Sequence, residues 1–218
     1  RHIYGDYRLK LEDVFSRRRF PDTIAIGKTD YDQHGLQNSE FARLGFLPYH
    51  RDEKIVRVPY RVCLPKNVDG LYVIGKAFSA QSDAFCFMRM QPDLQNMGYA
   101  IGYAAAIAIE DSCSIRSVSI KKLQKHLLGK KIIQQDDIVP KNEFPSCSDM
   151  VKKLQEGDET QLLFVLCAPS KEIMPVLEKA YSESEEKTLL AMAMAWFGSK
   201  RGADVLIREL KKMKDEPQ

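Results

Sequence analysis

The chain has 218 residues, which is enough to bury a hydrophobic core in one domain or in two small ones. Its composition, 44% hydrophobic and 29% charged, is ordinary for a globular protein, and a net charge of +3 argues against the strong positive field of nucleic-acid or membrane-surface binding. No apolar run reaches the roughly 18 residues that a membrane-spanning helix needs.

The cysteine content argues against a zinc site and against a redox dithiol. There are 5 cysteines, an odd number, and no two of them form a C-x-x-C pair. No metal site is therefore predicted, and the count favours a reducing compartment such as the cytoplasm. The basic run at 17–19 is typical of a solvated edge at a turn and less so of a nucleic-acid contact.

The first 64 residues predict short strands separated by turns and one long loop. Residues 3–11 alternate between apolar and polar side chains, and 23–27 predict a strand that ends at a glycine. Residues 28–54 are polar, and a loop of this length inside a domain is often functional. Residues 55–64 predict a strand that is broken at Pro59, because proline cannot donate a ladder hydrogen bond.

Residues 71–111 are the most informative stretch. The apolar run 71–74 stops at Gly75, which predicts a short buried strand and a sharp turn. Pro92 and Asp93 then favour the start of a helix, on one face of which lie Gly98 and Gly102. A strand, a glycine turn and a helix whose first amides are free can bind an anion or a polar ring. The alternative is a tightly packed α/β crossover with no ligand.

The remaining residues predict helices and one boundary. Ser119 and Gly129 are typical of the two ends of a helix, and residues 131–145 have the composition of a linker. Residues 146–218 predict helices only. Within them, 165–178 and 195–208 repeat one pattern at an offset of 30 residues, so this segment resembles HEAT-like helical repeats, which bind other proteins.

Several short motifs occur in an order that resembles one known family. They are Gly5-Asp6-Tyr7, Phe20-Pro21-Asp22, Asp32-Gln33-His34, Pro59-Tyr60-Arg61, Leu64-Pro65-Lys66, Val73-Ile74-Gly75-Lys76, Arg89 and Gly98-Tyr99-Ala100-Ile101-Gly102. Over residues 1–130 their order and spacing resemble the C-terminal portion of the FAD-dependent oxidoreductase family, the flavoproteins with two dinucleotide-binding folds. The fold class that this implies is α/β, a partial FAD-binding domain of mixed strands and closing helices, followed by an all-α helical-repeat segment.

The resemblance implies roles for particular residues. The parent enzyme would move a hydride from a small-molecule substrate to FAD. His34 and Arg61 are the candidate catalytic residues on the substrate side, although a solvent-exposed histidine and a structural ion pair are the alternatives. The candidate cofactor-binding residues are Gly75, Lys76, Arg89, Asn96, Met97 and Gly98. For Arg89, the alternative is an ion pair with Asp83 or Asp93.

Two features limit the expected activity. The chain contains no G-x-G-x-x-G, the turn that binds the ADP part of a dinucleotide, and its first residues already match the middle of the family pattern. We therefore expect a fragment whose partner is the N-terminal half of a parent chain, and which does not retain FAD alone. Tyr99 and Ile101 replace smaller family residues, so a non-catalytic scaffold with a degenerate flavin site is the competing interpretation.

Overall fold

The structure is a computed structural model that describes residues 2–32 and 54–215. The chain divides into two compact units, Arg1–Phe144 and Pro145–Gln218. In the described ranges, the first unit combines one small antiparallel sheet with helices, and the second contains helices without strands. This order is consistent with a mixed α/β segment followed by a helical one. His34 lies outside the described residues.

The sheet of the first unit has two strands. Strand β1 (Thr23–Thr29) pairs antiparallel with β2 (Lys54–Pro59), and Ile26 lies opposite Arg57. Strand β2 ends at Pro59, as predicted, and the chain continues as a 3-10 turn at Tyr60–Cys63. The core-facing side chains of both strands are buried because helices pack on the sheet.

Among its described residues, the first unit has four α-helices: α1 (Leu11–Phe15), α2 (Ser82–Phe85), α3 (Gln91–Glu110) and α4 (Ile120–Gly129). Helix α3 packs against β1 and α4, and Met97, Ile101 and Ala104 form part of its buried face at helical spacing. Helix α4 begins where the sequence predicts, because the Ser119 hydroxyl accepts a hydrogen bond of 3.3 Å from the Lys122 amide.

The prediction of a buried strand at residues 71–74 is wrong. The segment is extended but belongs to no sheet in the described part of the chain, and its Val73 amide donates to the Cys63 carbonyl at 2.9 Å. Leu71 and Ile74 are 49% and 43% exposed. The apolar run predicted burial, but no described residue covers these side chains.

The segment expected to be a linker packs against the first unit. Arg19 and Lys141 form an isolated antiparallel bridge, and the Glu143 amide donates to the Ser16 carbonyl at 2.9 Å. Arg57 of β2 forms a buried ion pair with Asp137, with Nε and Oδ1 3.0 Å apart. The polar composition of 131–145 therefore reflects these contacts, and the unit extends to Phe144.

Up to residue 215, where the described range ends, the second unit has five helices: α5 (Cys147–Gln155), α6 (Gln161–Cys167), α7 (Ser170–Glu183), α8 (Thr188–Trp196) and α9 (Ala203–Asp215). Helices α6 and α7 are joined by a short turn, as are α8 and α9, which accounts for the repeated sequence pattern. Across 2–32 and 54–215, no helix combines the length and the apolarity that crossing a membrane requires.

Candidate functional site

The start of helix α3 has free backbone donors. Met90 precedes the helix without a side-chain cap, and the Leu94 amide donates to the Met90 carbonyl at 3.0 Å. The first amides of a helix have no acceptor within it, and Pro92 has no amide hydrogen. The unsatisfied donors of the first turn are therefore the Gln91 and Asp93 amides. Neither has an acceptor among the described residues. The positive end of the helix dipole adds to their attraction for negative charge.

These donors lie one turn before the residues that we expected to supply them. Because α3 begins at Gln91, the amides of Asn96, Met97 and Gly98 donate inside the helix. The Met97 side chain is fully buried, whereas Asn96 and Gly98 are partly exposed. Of these three residues, Gly98 therefore offers the clearest access for a ligand.

An open face runs along α3 next to the extended segment. A methyl group at Gly98 would contact only Ile74 Cδ1, at 3.7 Å, and one at Gly102 would meet nothing within 4 Å. We call the surface formed by Gly98 and Gly102 the glycine face. Gly75, with φ of +66°, has equally open space at its Cβ position. A flat group or another backbone could lie directly against this surface.

The two bulky residues of the helix motif do not cover the glycine face. The Tyr99 side chain turns towards α4, where its hydroxyl shares a hydrogen bond of 2.8 Å with His126 Nε2. Ile101 points into the core and is 4% exposed. The departures from the family motif are therefore accommodated on the other faces of the helix, and the space beside Gly98 stays open.

Arg89 connects the start of α3 to Asp32, which follows strand β1 in the chain. Its Nε lies 3.0 Å from Asp32 Oδ2, and both side chains are mostly buried. The sequence suggested Asp83 or Asp93 as its partner, and no local pattern points to Asp32. This ion pair places the aspartate of the Asp32-Gln33-His34 motif near the helix start. Lys76, by contrast, is exposed beside Gly75.

Arg61 forms the structural ion pair that was its alternative interpretation. Its Nε and Nη2 donate to the two carboxylate oxygens of Asp22, at 2.8 and 3.1 Å, and its guanidinium lies 5.1 Å from the Tyr7 ring centre. Hydrogen bonding to Asp22 raises the pKa of Arg61. Three of the sequence motifs therefore meet here and hold one another in place.

Asp93 carries a buried oxygen without a partner. Its carboxylate accepts a hydrogen bond from the Lys28 backbone, but Oδ2 is shielded from solvent and has no donor within the described residues. Burial raises the pKa of this carboxyl group. Gly27 of β1 lies against it, and a methyl group at Gly27 would overlap the sulfur of Met88. The start of α3 therefore packs tightly on β1, and sequence reasoning did not reveal this contact.

The described ranges contain no group of three histidine, cysteine or acidic side chains that could hold a metal ion. None of the 5 cysteines, all of which lie in the described ranges, forms a disulfide. The arrangement at α3 thus consists of backbone donors, an open glycine face and one arginine that is already paired. Such a surface can bind a planar polar group and can stabilise negative charge on it.

Comparison with known proteins gives a family for the first unit. The sequence model described as FAD dependent oxidoreductase matches residues 1–127, which is more than half of the chain. Neither the curated proteins nor the solved structures contain a significant match. The matched range includes β1, β2, α3, the glycine face and nearly all of α4. This chain belongs to the FAD-dependent oxidoreductase family.

Proposed function

We propose that residues 1–127 form the flavin-side wall of an oxidoreductase that oxidises a small-molecule substrate by hydride transfer. FAD, when bound, supplies the hydride acceptor. The open glycine face beside the free donors at the start of α3 is the observation that carries this proposal. It suits a flat polar ring system, because the ring can approach the backbone at Gly98 while the amides of Gln91 and Asp93 face its polar atoms.

The chain's own residues would act mainly by electrostatics and by shape. The dipole of α3 and the Gln91 and Asp93 amides would stabilise negative charge that develops on a ring beside them. Arg89, paired with Asp32, would fix the start of α3 relative to the residues that follow β1. Lys76 is exposed and could reach a phosphate or a carboxylate near Gly75. Asn96 and Met97 would support the glycine face from the helix itself.

The substrate side would involve His34 and Arg61. His34 follows Asp32 by two residues in the sequence, and Asp32 is held by the ion pair with Arg89. We propose that His34 accepts the proton that the substrate loses when its hydride leaves. Arg61 is held by both oxygens of Asp22 and would orient the substrate side while keeping that pair.

We propose that the exposed apolar surface of Leu71 and Ile74 is covered by a dinucleotide-binding half of the enzyme. Exposed apolar side chains beside an open backbone surface are typical of an interface. A chain that lacks the ADP-binding turn would hold only one side of the cofactor. We therefore expect the 218-residue chain alone to retain no FAD.

Visible spectroscopy tests the proposed function. After incubation with FAD and removal of free FAD by gel filtration, the 218-residue chain should be colourless, whereas the longer parent should purify with flavin absorption bands. A colourless parent that stays folded and takes up no added FAD would contradict the proposal. It would support the scaffold interpretation instead.

The scaffold interpretation has one observation in its favour, and it concerns the second unit. Helix α9 exposes Ile207, Leu210 and Met213 along one side. We propose that the helices of this unit are HEAT-like repeats that contact another protein, because a repeat stacks its apolar face on a neighbour. If the parent binds a protein partner and binds no flavin, the contact made by the second unit would be the main function.

A further inference from the structure

A second polar surface lies on α4, and its charge is unbalanced. Residues 120–131 contain five lysines and no acidic residue. Lys122 is neutralised, because its Nζ lies 2.7 Å from Glu110 and 2.9 Å from Asp111. In the part of the chain that the structure describes, the other lysines of this segment form no ion pair with a carboxylate. Their positive charge is therefore available to a ligand.

Part of this surface forms a shallow, wide-open recess of about 520 Å³. Its lining residues are Tyr103, Lys122, Lys125, His126, Gly129 and Lys130. No carboxylate is among them. Gly129 leaves the recess open at its position, since a methyl group there would meet nothing within 4 Å.

An aromatic stack gives the recess a fixed wall. The His126 ring lies parallel to the Tyr103 ring, with centroids 3.6 Å apart and planes at 10°. Its Nε2 shares the hydrogen bond with the Tyr99 hydroxyl. The other ring nitrogen, Nδ1, makes no hydrogen bond to any described residue. The imidazole is therefore held in one orientation with one nitrogen still available.

We infer that this recess, which we call the lysine recess, binds a phosphate group, either as free phosphate or as part of a phosphorylated small molecule. Lys125 and Lys130 supply two unpaired positive charges, and a phosphate monoester carries a charge of about −1.5 to −2 at pH 7. A carboxylate ligand carries one negative charge and would balance only one of the two lysines. Ammonium groups suit phosphate as compact charged donors, and His126 adds a directional contact.

The lysine recess does not depend on the proposed flavin function. Its residues lie on the α4 side of α3, which Tyr99 faces, whereas the glycine face is formed by Gly98 and Gly102. A flavoprotein and a scaffold could each have it.

Calorimetric titration of the 218-residue chain tests the inference, with inorganic phosphate and adenosine 5′-monophosphate as probes and chloride used to keep the ionic strength constant. Both probes should bind at one site. The double variant Lys125→Gln/Lys130→Gln should bind about tenfold more weakly, as expected for the loss of charge-assisted contacts. Tighter binding of the nucleotide would identify a phosphorylated ring compound as the natural source, and equal binding would identify the phosphate group alone.

The matched control is Lys171→Gln/Lys179→Gln, which removes two exposed lysines from α7 and should leave binding unchanged. Equal weakening in the two double variants would overturn the inference, because it would show a general effect of charge. A dissociation constant for both probes weaker than about 10 mM in the unaltered chain would overturn it as well.

Discussion

At the scale of single residues, two glycines of the first unit have opposite roles. Gly27 is required by packing, because the Met88 sulfur occupies the space that a side chain would need. Gly98 lies in the middle of a helix beside open space, where glycine is a poor choice for stability. A glycine that costs stability without a packing reason is consistent with the proposed close approach of a flat ring to the backbone at Gly98.

Alanine substitutions should separate these roles. Gly98→Ala should raise the free energy of unfolding of the chain by about 0.5–1 kcal/mol, because alanine favours the helix and meets no clash. Gly27→Ala should lower it by about 1–3 kcal/mol, through overpacking against Met88. Urea unfolding measures both. Destabilisation by Gly98→Ala would mean that the glycine face is already occupied within the chain.

The buried carboxyl group of Asp93 predicts a pH effect of definite sign. Its pKa is raised in the folded state by burial, so the folded protein binds the proton more tightly than the unfolded one. The group therefore lowers stability progressively as pH rises through its unfolded and folded pKa values, and has no such effect below both. Asp93→Asn should be more stable than the unaltered chain at pH 7, with the difference vanishing in acid.

Thermal unfolding across pH measures this effect, and Glu185→Gln, in the exposed connection between α7 and α8, is the control. The control should follow the unaltered chain at every pH. An Asp93→Asn difference that grows towards acid pH would contradict the assignment of Asp93 as a carboxyl group disfavoured by burial.

At the scale of elements, local signals predicted helices better than strands or connections. Some signals act within a few residues, so the sequence reveals them: the helix start at Ser119, the strand end at Pro59 and the apolar spacing of α3. The segment 71–74 was predicted wrongly, because an apolar run usually indicates burial, whereas Leu71 and Ile74 are exposed in the described part of the chain. Asp137 in the expected linker could not be paired with Arg57 either, since no local pattern encodes a contact between such distant parts of the chain.

The pair of Arg57 and Asp137 tests whether the segment up to Phe144 is part of the first unit. Both side chains are about 90% buried. Arg57→Ala should lower the free energy of unfolding by about 3–5 kcal/mol, because it leaves Asp137 buried without its counter-charge.

Lys212→Ala is the control for this variant, because it breaks the exposed ion pair with Glu209. It should change the free energy of unfolding by no more than about 0.5 kcal/mol. Similar small changes in the two variants, measured by urea unfolding, would show that residues 131–144 are a linker after all.

At the scale of the whole molecule, the family motifs have two kinds of role. Those that contain Asp22 and Arg61 hold the first unit together, and a resemblance alone could not distinguish this from substrate binding. Gly75 and Gly98 instead lie on an open surface, as a ligand-facing role requires. The sequence thus identified the family and two partly exposed glycines, whereas the position of the free amides needed the observed start of α3 at Gln91.

The central claim is that the glycine face lies against the flavin. The most direct measurement is the flavin content of the purified parent chain, as the ratio of flavin to protein absorbance, for the unaltered protein and for Gly98→Leu. We predict about one FAD per unaltered chain and less than a tenth of that in the variant, because a leucine side chain would fill the space against which the ring lies. Equal flavin content in the two proteins would contradict the claim.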